Sequence, residues 1–182
     1  MENIFCQRLR DIEIDLSPLR ALQESHASGK MMIFDYPRVD VKLTKFLRTY
    51  DLIVSKAEVF YIPPGESLPI HVDSDSFSNN CKLNWVFGGG EMCWFKPKEG
   101  IPLRYHTTPI GSKYLLFAAG DCVQIYQDTV GSPSLVNVGI PHSVNNDTDA
   151  GRWCISHNID CMLLKQQIQW HDAVDRLSEI LQ

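Results

Sequence analysis

Several features are missing from this 182-residue chain, and each absence closes off a class of function. Its six cysteines (Cys6, Cys81, Cys93, Cys122, Cys154 and Cys161) form no CxxC pair, which excludes a zinc-knuckle reading. Lysine and arginine form no run, and the net charge is -5, so the electrostatic footprint of a nucleic-acid binder is absent. No apolar stretch approaches the ~20 residues that cross a bilayer, so no membrane partner is expected. The opening "MENIFCQRLRDIEIDL" is charged throughout and lacks the apolar centre of an export signal. The cysteines are therefore expected to be reduced thiols filling the core of a cytoplasmic protein. Internal repeats and low-complexity segments are also lacking.

What is present argues for a folded β protein. Apolar residues make up 44% of the chain, enough to build a core, and the length suits one domain over 1–182. Three textures divide it. Residues 1–54 form an N-terminal α/β extension. In it, "SPLRALQESHASG" reads as a helix with Ser17 as N-cap, Pro18 in the first turn and Gly29 as the stop. "KFLRTYDLIV" reads as a helix, or a helix running into a strand. Residues 55–160 alternate in the manner of strands: "AEVFYI", "CKLNWVF", "MCWFKP", "KYLLFAA", "CVQIY", "SLVNVG" and "RWCISHNID". Turn signals separate them, and many short strands with Gly/Pro turns predict a sandwich or barrel. Residues 161–182 carry Ile168, Val174, Leu177 and Leu181 at helical spacing and predict a helix packed outside the β core.

The chemistry-bearing residues concentrate in a few places. In "YIPPGESLPIHVDSD", His71 and Asp73 are two apart on a strand and so point to one side. An imidazole and a carboxylate aimed at one point suit a divalent metal such as iron, which needs a third ligand. Asp75 at i, i+4 reaches too far from His71. Among the other histidines, His26 and His171 lie in predicted helices and His106 in a loop. His157 shares a face with Ile155 and Ile159, as a core or surface histidine does. His142, in "NVGIPHSVNND", ends a strand-like run at a polar edge. Arg152 follows it by ten residues, across "NNDTDAG". A tight turn there predicts His142 and Arg152 on neighbouring strands facing one interior. Arg152 shares its face with Cys154, Ser156 and Asn158, and a guanidinium inside a β core calls for an anion.

His71-x-Asp73, His142 and Arg152, in this order and spacing, resemble the signature of the iron(II)/2-oxoglutarate-dependent dioxygenases. "IPPG" before the HxD pair and "PHSVNN" before the arginine are similar to the prolyl-hydroxylase-like and aspartyl/asparaginyl β-hydroxylase-like branches. The resemblance covers roughly 55–160. It implies a double-stranded β-helix, the cupin-like jelly roll, mainly β with flanking helices. It implies His71, Asp73 and His142 as Fe(II) ligands and Arg152 as partner of the far carboxylate of 2-oxoglutarate, with O₂ as oxidant. Succinate and CO₂ would be the coproducts of hydroxylating a peptide side chain or a small molecule. Asn84, Lys82 and Tyr61 are further candidates for cosubstrate contact, as polar groups on possible inward faces. Many members carry Arg-x-Ser where this chain has Cys154 two residues after Arg152, and the aspartyl/asparaginyl branch often lacks the metal carboxylate that Asp73 supplies here. Two other readings share parts of the pattern. A cupin-like metal protein of another class, an isomerase or a sensor, would keep the metal ligands without needing Arg152. A non-catalytic β-sandwich binding module would need neither. The loop at 74–81 and the segment "KPKEGIPLRYHTTPIG", with Arg104, Tyr105 and His106, are expected to line the mouth, as loops on a rigid scaffold do.

Overall fold

Side-chain alternation decides which face of each strand meets which layer, and here the central strands of the larger sheet have two buried faces. The computed structural model describes residues 3–10, 12–26, 29–36, 40–108 and 110–182. In chain order its elements are β1 (Cys6–Arg8), α1 (Ser17–Ser25), β2 (Met32–Asp35), α2 (Val41–Arg48), β3 (Leu52–Ile62), β4 (Ile70–Val72), β5 (Cys81–Phe87) and β6 (Glu91–Pro97). There follow β7 (Arg104–Thr107), β8 (Lys113–Phe117), β9 (Cys122–Asp128), β10 (Ser134–Asn137), β11 (His142–Asn145), β12 (Arg152–Cys161), β13 (Gln166–Gln167) and α3 (Trp170–Leu177).

The strands form two antiparallel sheets. The larger runs β1-β10-β5-β12-β3-β2, with β13 beside β12, and the smaller runs β7-β8-β4-β11-β6-β9. Along β3, β4, β5, β6, β9, β10, β11 and β12, the chain visits the sheets in the order large, small, large, small, small, large, small, large. That palindrome is a double-stranded β-helix, a jelly roll whose two halves interleave. The β7–β8 hairpin is inserted between β6 and β9 and extends the small sheet through β8 against β4.

The helices and the large sheet enclose the main core. Leu43 and Leu47 of α2, and Trp170, Ala173 and Leu177 of α3, pack with Leu83, Trp85, Leu135, Ile155 and Ile159 from the outer face of the sheet. Burying a side chain such as Leu177 contributes about 2 kcal/mol. A smaller cluster, including Met92, Trp94, Val136 and Val138, joins the two sheets from inside.

Several local expectations change. Leu16 is the N-cap of α1 and makes no side-chain cap, while Asp15 before it accepts from the Ser17 amide at 2.9 Å, so Ser17 is the first helical residue and not the cap. Asp40 starts α2 by accepting from the Lys42 and Leu43 amides, four residues ahead of the predicted "KFLR". His106 lies in the exposed edge strand β7 and not in a loop. The C-terminal helix is confined to Trp170–Leu177, because Cys161 completes β12 and the chain folds back as β13 before the helix begins.

His157 is a core histidine. It faces the helices, is 1% exposed, and sets its ring edge-on to Trp85 with centroids 5.1 Å apart. Burial pushes its pKa down to about 4, whereas an unfolded histidine titrates near ~6.5. The unfolded chain therefore takes up the proton first. Stability is expected to fall as pH drops from ~6.5 to about 4 and to level off below, by about 3 kcal/mol for this group. Urea midpoints measured across that window should decline less steeply in His157→Gln than in the wild type. Parallel curves would remove His157 as the source.

Candidate metal centre

β4 and β11 are neighbours in the small sheet, and His71 and His142 are Cα partners in their register. Partnered residues point to the same side of a sheet, so the two rings meet over the interior with centroids 4.4 Å apart. Asp73, two residues beyond His71, joins them. Its Oδ1 lies 3.1 Å from His71 Nε2 and 3.7 Å from His142 Nε2. One ligand atom from each of the three residues falls within 4.8 Å of the others. Donors at right angles on metal bonds of about 2.1 Å lie about 3 Å apart, so the set is on the scale of a facial two-histidine, one-carboxylate site.

The protons are arranged for ligation. His71 Nδ1 lies 2.8 Å from the Pro69 carbonyl and His142 Nδ1 2.9 Å from the Ile140 carbonyl. A carbonyl only accepts, so both rings carry hydrogen on Nδ1 and turn Nε2 toward Asp73. This is how metal-binding imidazoles are oriented from behind. Burial and the neighbouring His71 push His142 down to about 4 against the pull of Asp73. Its ring is neutral at pH 7, the form that ligates.

Burial alone would raise the Asp73 carboxyl, but the Lys82 ammonium holds it well below the usual carboxylate range. Lys82 Nζ sits 2.9 Å from Asp73 Oδ2 and 3.2 Å from Glu58 Oε2. Glu58 in turn lies 2.9 Å from Lys56 Nζ and accepts from the Ser112 hydroxyl at 2.8 Å. Burial opposes the charge on Lys82 too, and its two carboxylate neighbours keep it protonated.

Two cavities meet at the triad and share Phe60, Leu68, His71 and Asp73 as walls. The inner one lies between the sheets and is lined also by Asn84, His142, Arg152, Cys154 and Ser156. Its 50 Å³ of water-centre positions gives room for about four waters, or a small acid. The outer one, about 220 Å³, opens past Glu58, Lys82, Thr108, Ser112, Lys113 and Tyr114.

These positions settle where each candidate stands. Arg152 and Asn84 face the inner cavity from the large sheet, and Asn84 Oδ1 is buried without a hydrogen-bond partner among the described residues. His142 and Arg152 are not on neighbouring strands. β11 belongs to the small sheet and β12 to the large one, so the two residues reach one cavity from opposite walls. Arg152 Nη1 donates to the carbonyls of Gly89 and Gly90 at 2.8 and 3.2 Å. That turn needs glycine, since Gly90 has φ 85° and a Cβ there would strike the Asn145 carbonyl. Cys154 holds the inward position two residues on, its thiol pushed up to about 11 by burial.

Tyr61 does not reach the site. Phe60 and Ile62 take the inward positions of β3, and Tyr61 packs on the other face against Trp153, with centroids 4.6 Å apart. Lys82 faces inward but is spent between two carboxylates. Asp75 is exposed. Of the segment "KPKEGIPLRYHTTPIG" expected at the mouth, Thr108 lines the outer cavity, whereas Arg104, Tyr105, His106 and the 74–81 loop line neither cavity.

Two residues escaped the reading of the sequence. Glu58 shares the inward parity of Phe60 and Ile62 in "AEVFYI", and a carboxylate on that parity was the available signal. Asn146 is fully buried; its amide donates to the Ile62, Pro63 and Ala150 carbonyls at 3.0, 3.0 and 2.9 Å. It clamps the "IPPG" bend to the segment leading into Arg152, and only its place in "PHSVNN" hinted at it.

No family model matches the chain. Similar solved structures include an oxidoreductase of the 2OG-Fe(II) oxygenase family from Burkholderia pseudomallei, at 12% identity and TM-score 0.44, covering 80% of this chain and 78% of that one. Vicilin from Capsicum annuum is similar at 12% identity and TM-score 0.38, over 72% of this chain and 29% of that one. Oxalate decarboxylase from Bacillus subtilis is similar at 13% identity and TM-score 0.33, over 72% and 25%. The chain thus spans less than a third of the vicilin and decarboxylase chains. The likeness in each case is one of fold.

The geometry predicts one divalent ion per chain. Anaerobic calorimetric titration with Fe(II) or Mn(II) should give unit stoichiometry. His71→Ala and His142→Ala should each weaken binding by more than about 100-fold, and Asp75→Ala should leave it unchanged. An effect of Asp75→Ala equal to that of the histidine variants would place the ion elsewhere.

Proposed function

We propose that this chain is an Fe(II)- and 2-oxoglutarate-dependent oxygenase, with His71, Asp73 and His142 holding the metal. The observation that carries the reading is Arg152. The residue is 3% exposed, lines the cavity beside the triad, and has no carboxylate partner among the described residues. Burial lowers its pKa, yet an arginine stays charged, and an unpaired buried charge is costly. An acid bound in the inner cavity would supply the missing partner. When bound, ferrous iron and 2-oxoglutarate would supply the chemistry: O₂-dependent decarboxylation to succinate and CO₂, coupled to oxidation of a C–H bond.

The residues divide the work. Arg152 holds the far carboxylate of the acid, and Asn84 Oδ1 offers a bridging water a buried acceptor. Phe60, Val86, Met92, Val138 and Val144 keep that cavity dry. The outer cavity takes the substrate, and its volume suits an amino-acid side chain or a small molecule. Lining by Leu68 on one side and by Thr108, Ser112, Lys113 and Tyr114 on the other gives the substrate one apolar and one polar wall.

Anaerobic addition of 2-oxoglutarate to the Fe(II)-loaded protein should produce the weak visible charge-transfer band of a chelated 2-oxo acid, and air should yield succinate. Arg152→Met should retain Fe(II) while weakening 2-oxoglutarate about 10- to 100-fold, the loss of a charge-assisted contact. No band and no succinate, with Fe(II) bound, would instead favour a cupin-like metal protein of another class.

A further inference from the structure

Lys82 has no role in the proposed reaction, yet it is among the most constrained groups in the molecule. It is 5% exposed, and its ammonium is wedged between Asp73 Oδ2 at 2.9 Å and Glu58 Oε2 at 3.2 Å. We propose that Lys82 is a positioning residue that confines Asp73 to one-oxygen ligation of the metal, and so fixes the number of open coordination positions. The proposal rests on the metal site inferred above.

The division of labour within Asp73 supports this. Oδ1 faces both imidazoles, at 3.1 and 3.7 Å from their Nε2 atoms, and Oδ2 faces only the ammonium. Chelation through both oxygens would require the carboxylate to turn Oδ2 toward the histidines and abandon Lys82. Inside a buried site that would leave the ammonium short of one of its two carboxylates, which is costly.

Lys82 cannot easily follow such a turn, because it is anchored from behind. Glu58 is 3% exposed and is held by the Lys56 ammonium at 2.9 Å and by the Ser112 hydroxyl at 2.8 Å. Those contacts come from β3 itself and from the residue just before β8, so the anchor ties the large sheet to the small one. Charges alternate along Asp73, Lys82, Glu58 and Lys56. The repulsion a lone lysine would exert on a dication is thereby offset by Glu58, which lets a cation stand behind a metal ligand.

The consequence is a count. A six-coordinate metal with three single-atom ligands keeps three positions, and two-oxygen ligation by Asp73 would leave two. Three is the number needed by a chelating 2-oxo acid and one further ligand.

Mn(II) reads that count directly, because water-proton relaxation reports the waters on the ion. Wild type and Lys82→Arg should carry equal numbers, and Lys82→Met should lose one of roughly three, lowering the inner-sphere relaxation by about a third. Unchanged relaxation in Lys82→Met with Mn(II) bound would overturn the role of Lys82 alone. Failure of the wild type to bind Mn(II) would overturn the metal site, and this role with it. A crystal structure of Mn(II)-loaded wild type tests the same point without any variant. One Asp73 oxygen on the ion with Oδ2 still on Lys82 supports the proposal, and two oxygens on the ion refute it.

Discussion

Asp73 must be ionised in a place that burial makes hostile to charge, and the rest of the site follows from how this is solved. An isolated carboxylate moved away from water protonates. Here an ammonium stands 2.9 Å from one oxygen and two imidazole nitrogens face the other. The ammonium would itself lose its proton without carboxylates, and Glu58 provides the second. Each charge is tolerable only because of the next, until Lys56, at 35% side-chain exposure, reaches solvent. Such a chain costs desolvation at every link and is weak evidence for stability. Its value lies in direction, since it leaves one oxygen of Asp73 aimed at the histidines.

The jelly roll makes this meeting possible. β4 and β11 are adjacent in the small sheet although 71 residues separate the partnered histidines. β5 and β12 are adjacent in the large sheet and turn Lys82, Asn84, Arg152, Cys154 and Ser156 toward them. The triad thus comes from one wall and its electrostatic support from the other. The separation of the walls sets the contact distances, and residues that pin the walls together matter as much as those that touch the site. Asn146 is one, joining the end of β3 to the approach to β12 through three carbonyls.

Much of this was legible in the sequence. The spacing of His71 and Asp73 gave their common direction, and the alternation in "CKLNWVF" and "RWCISHNID" separated Asn84, Arg152 and Cys154 from the helix-facing residues. Tyr61 misled for a physical reason. β3 is covered on both faces, by helices outside and the second sheet inside, so both parities are apolar and hydrophobicity does not say which is inward. Glu58 would have decided it. The 146–151 segment misled differently: its turn residues read as a hairpin, whereas the chain crosses from one sheet to the other there, and composition does not distinguish the two. Lys82 was visible as an inward polar group, but its partners lie on β3 and beyond β4, and pairing across that distance leaves no local trace.

The charges around the inner cavity bear on what it can hold. Lys82 and Glu58 offset each other, which leaves Asp73, Arg152 and, on the proposed reading, a divalent ion held by the triad. A divalent ion and a guanidinium outweigh one carboxylate by two positive charges. A neutral ligand would leave both uncompensated in a space shielded from water, and a monoanion would leave one. A dianion leaves none, and its two carboxylates would have distinct destinations, the metal at one end and Arg152 at the other. The space for about four waters limits the length of chain between them. On the proposed reading, charge and size together would therefore favour a short diacid in the inner cavity and leave any larger molecule to the outer one, with Phe60, Leu68, His71 and Asp73 as the common boundary. On that reading the triad would be the point of contact between two ligands that otherwise never touch, the geometry that a coupled oxidation requires.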